Sequence, residues 1–354
     1  MEKIKKLQAF LKSSQEAILI HSQDNRRFFT GFPSSDGFLL VTKAEAVLFV
    51  DSRYVEAAQK KACCSAHLLT KVSTEIKEYI REKNIIKIYT ERNKISVATA
   101  DFLKTVFLPC RVTPSKKLEK AISEIRAVKT PDQVENIKIA QKIAENAFEH
   151  ILTFIKPGVT EKQIALELDF YMLSHGAEAL SFETIAVTGA KTSMPHGVPD
   201  DTVVKSGDFV TMDFGAVYKG YHSDMTRTVA VGNISQEQRK IYEIVLSAQL
   251  AALALLKEGV PCKQADAAAR DIIANAGYGE CFGHGTGHGV GIEIHEEPNL
   301  SPRSEAVLKA GHIVTVEPGI YLPGKFGVRI EDVVIFREDG CENITGSPKN
   351  LIIL

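Results

Sequence analysis

Four acidic residues sit where an isolated charge would be costly, and they come in two pairs. The first pair lies in Thr211 to Thr228, where alternating apolar residues flank Lys219-Gly220, the pattern of a β-hairpin with a two-residue turn. Folding back about that turn sets Asp213 opposite or diagonal to Asp224, about 5–8 Å away across the ladder. Two carboxylates that close, one of them between Met212 and Phe214, require a cation or a shared proton. The plain alternative leaves Asp224 on a solvated face.

The second pair is Glu317, in Val314-Thr315-Val316-Glu317-Pro318-Gly319, and Glu331, in Gly327-Val328-Arg329-Ile330-Glu331-Asp332. Both interrupt β-branched runs, where burying a lone charge is expensive. Arg329 shares strand parity with Glu331, so a simple salt bridge would account for that pair, whereas Glu317 has no such neighbour. Between the two pairs, Phe282 to Ile292 carries glycine at 283, 285, 287, 289 and 291. No two of these stand in the i, i+5 relation of a dinucleotide-binding loop. Strict alternation instead predicts a strand with one face of bare backbone, open to close approach by a ligand or another chain segment, and His284, Thr286 and His288 on the other. Two histidines on one face, with His295 beyond, point to a site.

Four carboxylates with at least one imidazole make a hard oxygen set that suits Mn²⁺, Fe²⁺ or Co²⁺ and admits zinc, while the thiolates of a structural zinc site are missing. Four acidic ligands exceed the need of one divalent ion, so a two-metal site with a bridging hydroxide is the economical reading.

These residues must be positioned by a larger frame. Lys156-Pro157-Gly158-Val159-Thr160-Glu161-Lys162-Gln163 returns 101 positions later as Lys257-Glu258-Gly259-Val260-Pro261-Cys262-Lys263-Gln264, and Gly176 maps onto Gly277 at the same offset. Each copy follows a long helical stretch, 131–154 and 235–257, and precedes a strand-rich one. Residues 122–354 therefore read as two similar halves about a pseudo-twofold axis, with a natural cleft between them. Thr130-Pro131 and Thr160 with Gln163 are helix starts. Ahead of this, strands at 17–20, 37–41, 46–50 and 85–89 alternate with helices at 53–61, 73–83 and 96–106, which predicts a small α/β domain ending near residue 121.

Composition narrows the function. The chain has 354 residues with 43 basic and 44 acidic, a net charge of −1 and a pI near 6.8. No basic excess exists to neutralise phosphates, so nucleic acid is not expected as a partner. No apolar run approaches the ~20 residues that span a bilayer, and Lys12-Ser13 interrupts any secretory h-region. Six cysteines without C-x-x-C spacing read as reduced thiols, and the protein is expected to be cytoplasmic.

The motifs M-D-F-G…S-D-M-T-R-T, G-H-G-T-G-H-G-V-G, V-E-P-G-I-Y and G-V-R-I-E-D, in this order, closely resemble the Xaa-Pro peptidases of the pita-bread metallopeptidase family, aminopeptidase P and prolidase. The resemblance covers 122–354, and residues 1–121 look like the creatinase-type N-terminal domain of these enzymes. It implies an α/β (α+β) chain with a pita-bread catalytic domain. It makes Asp213, Asp224, His288, Glu317 and Glu331 ligands of two divalent ions per chain, Mn²⁺ or Co²⁺ ahead of Zn²⁺ or Fe²⁺, with Asp224 and Glu331 bridging. His196 matches a histidine on the leaving-group side, His295 one that touches the scissile carbonyl, His284 a further cleft histidine, and Arg329 an arginine beside the ligands. Glu317 is in addition the expected proton acceptor, and a homodimer acting on short proline-containing peptides is implied.

One departure bears on specificity. Several dipeptide-specific relatives resemble one another in an arginine, for a substrate's terminal carboxylate, where this chain has Asn299, and the nearest arginine here is Arg303. The expectation is therefore an Xaa-Pro aminopeptidase, with dipeptidase as the alternative. A non-catalytic pita-bread binding module or a creatinase-like hydrolase predicts lost ligands, and none is lost; methionine aminopeptidases typically lack a domain like 1–121.

Overall fold

The computed structural model describes residues 2–338 and 340–354. It divides into two compact units, 1–125 and 126–354, so the boundary expected near 121 falls inside the helix that ends the first unit.

The first unit runs α1 (Glu2–Phe10), β1 (Glu16–Ile20), α2 (Gln23–Thr30), β2 (Phe38–Thr42), β3 (Ala46–Val50), α3 (Val55–Lys61), β4 (Ser65–Leu68), α4 (Glu75–Glu82), β5 (Lys87–Thr90), α5 (Val97–Val106), β6 (Arg111–Pro114) and α6 (Lys116–Ala127). The six strands form one mixed sheet in the order β4-β3-β2-β1-β5-β6. The predicted strands and helices are all present, within a residue or two at most ends. A helix-like stretch over 118–129 is also legible and matches α6, whereas α1, α2, β4 and β6 escaped the sequence reading. In α1 only Ile4 and Leu7 are buried, too few apolar positions to set a period. β6 ends in Pro114, a residue that ordinarily breaks a strand; at a sheet edge a proline costs no ladder bond.

The second unit is built twice. Its first half comprises α7 (Pro131–Ile151), α8 (Glu161–Ser174), β7 (Ala179–Leu180), β8 (Ile185–Thr188), β9 (Phe209–Phe214), β10 (Ala216–Tyr218), β11 (Tyr221–His222) and β12 (Met225–Ala230). The second comprises α9 (Gln236–Leu255), α10 (Cys262–Asn275), β13 (Gly287–Gly289), β14 (Glu296–Leu300), β15 (Ile313–Val316), β16 (Gly319–Leu322), β17 (Phe326–Arg329), β18 (Asp332–Arg337) and β19 (Gly340–Asn343).

The repeat seen in the sequence is a repeat in hydrogen bonds. Gly158 N–H donates to Val204 O at 3.0 Å and Val204 N–H to Val159 O at 2.9 Å; Gly259 N–H donates to Leu308 O and Leu308 N–H to Val260 O, both at 2.9 Å. Gly158 and Gly259 hold φ of +98° and +85°, and Gly176 and Gly277 hold +102° and +90°, a region where side chains are strained. Thr160 Oγ1 accepts from Gln163 N–H at 3.2 Å while Gln163 Oε1 accepts from Thr160 N–H at 2.9 Å, the reciprocal cap expected. Each half packs its helices on a sheet, β12-β9-β8 in one and β14-β13-β15-β18-β19 in the other. Separate buried clusters fill the two, one around Phe148, Leu168 and Met212 and one around Tyr242, Val314 and Phe336. No helix of the described residues is long and apolar enough to cross a membrane.

Candidate active site

The hairpin closes as predicted. Lys219 and Gly220 take φ of +47° and +80°, the two positive values of a type I′ turn. β9 pairs with β12 so that Asp213 faces Thr226, which puts Asp224, one residue before β12, on the diagonal. The ladder pauses between them, where a Cβ on Gly215 would lie 2.1 Å from Ser223 O. The second half presents its acids in a similar way: Glu317 follows β15 and Glu331 immediately precedes β18. A backbone bond joins the halves here, Glu331 N–H to Thr226 O at 3.1 Å, while Glu317 N–H donates to Thr286 O within the second half at 2.8 Å.

The glycine-rich stretch departs from the expected long strand, since only Gly287–Gly289 is one. Its bare face is approached by other backbone. A Cβ on Gly287 would stand 1.9 Å from Thr315 O, and on Gly289 2.6 Å from Glu297 O. Thr286, expected on the same face as the histidines, is fully buried and its hydroxyl donates to Asp266 Oδ1 at 2.9 Å. What the alternation achieves is a close pairing of three strands that pushes His288 inward.

Asp224, His288 and Glu331 offer ligand atoms that all lie within 4.8 Å of one another. His288 Nδ1 is 3.1 Å from Gly289 O, so with its proton there, Nε2 faces the acids, 3.5 Å from Asp224 Oδ2 and 3.4 Å from Glu317 Oε1. Asp224 is 4% exposed and Glu331 1%, so Asp224 is not on a solvated face. Burial, then the neighbouring carboxylates, push the Asp224 and Glu331 carboxyls well above their ordinary range, and burial raises Glu317. Burial lowers the His288 imidazole, leaving it neutral and ready to coordinate.

One cation answers this cluster, and it is not placed where strand parity suggested. Arg329 turns away from Glu331 and pairs with Asp213 at 2.7 Å, while its Nε donates to Thr226 Oγ1 at 3.0 Å and its Nη1 to Tyr321 Oη at 2.9 Å. Thr226 in turn donates to Glu331 Oε2 at 2.7 Å. Asp213 Oδ1 and Glu331 Oε1 are buried without a hydrogen-bond partner. Unpaired carboxylate oxygens beside a free imidazole nitrogen fit divalent cations and little else.

A second buried cation crosses the same seam in the other direction. Arg227, on β12, donates to Asp332 Oδ1 at 2.8 Å and to Glu331 O at 2.5 Å. Gln249 and Lys349 hold Asp332 Oδ2 at 2.9 and 2.6 Å.

The five residues floor a cleft of about 700 Å³ whose walls include His196, His284, His295 and Arg329, so all nine candidate residues meet in one place. Phe182, Ile185, Val198 and Ile294 supply apolar wall. His196 follows the turn 189–193, and His295 packs its ring 4.2 Å from that of His288. Both nitrogens of His284 are engaged, Nδ1 with Gly285 O and Nε2 with Tyr321 Oη, each at 2.8 Å, which leaves it to shape the wall. Tyr321 and Thr226 are functional neighbours that sequence reading missed; their motifs had been quoted, but nothing in spacing distinguishes a core tyrosine or threonine from one that links Arg329 to its surroundings.

Residues 135–338 match the model of metallopeptidase family M24, and residues 3–128 that of the creatinase/prolidase N-terminal domain. The chain belongs to metallopeptidase family M24. This M24 chain is 35% identical to an Xaa-Pro dipeptidase of Pyrococcus horikoshii over 99% of each. Among solved structures it is similar to an Xaa-Pro dipeptidase from Bacillus anthracis, with a TM-score of 0.96 and 43% identity over 100% of this chain and 99% of the other. It is also similar to an X-Pro aminopeptidase from Thermotoga maritima, with a TM-score of 0.90 and 36% identity over 96% and 97%. Members of M24 use divalent metals, and the protein is a metal-dependent hydrolase with a creatinase-type first domain.

Proposed function

We propose that this protein hydrolyses the Xaa-Pro bond of short peptides, dipeptides foremost, with two divalent ions held by Asp213, Asp224, His288, Glu317 and Glu331. The observation that carries the metal site is the pair of unpartnered buried oxygens, Asp213 Oδ1 and Glu331 Oε1, beside His288 Nε2. Divalent ions bound there supply Lewis acidity toward the scissile carbonyl and the attacking water. The residues of the chain do the rest. Glu317, whose Oε1 accepts from Thr315 Oγ1 at 3.2 Å, takes a proton from the water and returns it to the departing prolyl nitrogen. His295 donates to the oxygen that becomes negative in the tetrahedral state. His196 holds the peptide from the opposite wall, and Arg329 keeps Asp213 aimed.

Proline selectivity follows from a hydrogen that is missing. A site shaped for a prolyl nitrogen need offer no acceptor, so an ordinary amide N–H would be left unpaired at about 1–3 kcal/mol, or roughly 10–10²-fold. The dipeptidase reading rests on the names of the similar proteins in Pyrococcus and Bacillus, and replaces the aminopeptidase expected from Asn299. The aminopeptidase stays as the second reading because of one observation. Among the described residues lining the cleft, the sole lysine or arginine is Arg329, which is committed to Asp213. The test is parallel turnover of Ala-Pro and Ala-Pro-Ala by chelated protein reloaded with Mn²⁺, Co²⁺ or Zn²⁺. Faster cleavage of Ala-Pro supports the dipeptidase; equal or faster cleavage of the tripeptide transfers the assignment to the aminopeptidase; equal turnover of Ala-Ala defeats both.

A further inference from the structure

His295 stands on an irregular segment, 290–295, between β13 and β14, and an irregular backbone needs outside support to hold a side chain within the tolerance catalysis demands. That support is ionic and buried. Glu296 folds its carboxylate back under the segment, so that a Cβ on Gly291 would lie 2.6 Å from Glu296 Oε2, and Glu293 N–H donates to Glu296 Oε1 at 3.1 Å. Two cations from the chain just ahead of α7 close on it: Arg126 Nη2 at 2.5 Å from Oε1 and Lys129 Nζ at 3.1 Å from Oε2. Arg126 also reaches Glu293 Oε2 through Nη1 at 2.6 Å, bracing the segment at a second point. The side chains of Arg126, Lys129 and Glu296 are 7%, 2% and 4% exposed.

Burying such a group for stability alone is a poor investment, because apolar residues of similar volume are often as good or better. What an ion cluster provides that apolar packing does not is a fixed geometry. We propose that Arg126 and Lys129, acting through Glu296 and Glu293, are positioning residues that set His295 against the reacting carbonyl. The inference rests on the role given to His295 above and goes beyond it, because it assigns function to the segment that precedes the catalytic repeat.

A double-mutant cycle tests it on the metal-loaded full chain. Arg126→Gln is expected to lower kcat about tenfold or more while KM moves less than about threefold, the signature of a group misplaced by a fraction of an ångström. Bound metal, measured by elemental analysis, is expected to stay at the wild-type level, and amides of 290–296 to exchange hydrogen faster. In a His295→Ala background, Arg126→Gln is expected to cost less than about twofold more, since the residue it positions is gone. Losses that multiply, or a wild-type kcat in Arg126→Gln alongside an impaired His295→Ala, overturn this inference alone. A wild-type kcat in His295→Ala overturns the role of His295 and this inference with it. Should Arg126→Gln fail to fold, Glu293→Gln, which weakens the outer brace and leaves Glu296 with both its cations, goes through the same cycle with the same criteria.

Discussion

The two halves of the second unit share a plan and differ in what they add to it. In each, a helix pair backs a sheet, one acid lies at the end of an inner strand, and another lies one residue before the next strand: Asp213 and Asp224 in the first half, Glu317 and Glu331 in the second. Beyond this the second half carries His284, His288, His295, Tyr321 and Arg329, on or beside β13, β14, β16 and β17. The shared plan yields a carboxylate cage with approximate twofold symmetry, which suits two cations and has no direction of its own. These side chains break that symmetry: the second half supplies the arginine and three of the four imidazoles of the cleft, and the first half supplies only His196. Duplication accounts for the four acids, and departure from it for the side chains that surround them.

The comparison is broken or sharpened by experiments of decreasing severity. Asp224→Asn and Glu331→Gln, the matched acids, are each expected to lower kcat/KM by more than about 10³-fold and to reduce bound metal; metal analysis showing that only one of the two matters would refute the matched roles. His295→Ala, confined to the added part, is expected to cost about 10²–10³-fold in kcat with metal content unchanged, and loss of metal in that variant would erase the distinction between cage and reaction. Arg227→Met leaves Asp332 without its closest charged partner across the seam, which at about 3–5 kcal/mol for a broken buried pair should show plainly in urea unfolding. A midpoint unchanged from wild type would mean that Lys349, Asn343 and Gln249 suffice.

The mildest test is acid. Burial raises the Glu296 carboxyl, but Lys129 and Arg126 outweigh it and hold the group at about 2, against an ordinary 4.5. Between these values the unfolded chain has taken up the proton and the folded chain has not. The contribution is therefore full above pH 4.5 and is lost as pH falls toward 2. Thermal melts of the wild type should drop faster over that window than those of Glu296→Gln; parallel curves would show that the cluster contributes no acid sensitivity.

The frame was legible where a local rule acts alone. The repeat showed because Gly158 and Gly259 occupy a conformation that side chains resist, and the hairpin because Lys219-Gly220 suits a type I′ turn. The acids showed because β-branched surroundings make a charge conspicuous. The glycine alternation was read correctly as close approach and wrongly as one long strand, since spacing does not say that the approaching object is Thr315 and Glu297 backbone. The partner of Arg329 was missed for a related reason. Strand parity joins it to Glu331, whereas its guanidinium crosses to Asp213 in the other half, 116 residues away in sequence, and no local pattern carries that distance. The cluster of Arg126, Lys129 and Glu296 is invisible in the same way, because each residue taken alone is an ordinary surface charge.

The two arginines that cross the seam have a consequence for how the second unit comes apart. Arg227 belongs to the first half and answers Asp332 of the second; Arg329 belongs to the second and answers Asp213 of the first. Neither half is electrically complete. A chain cut in the turn at Gly232 would give two pieces, each exposing a seam of apolar surface and a charge whose partner is on the other. The halves should consequently melt in a single cooperative step, and fragments made at that cut should fold only when mixed. A duplicated architecture has in this way been tied into one cooperative unit, with two guanidinium groups among its ties.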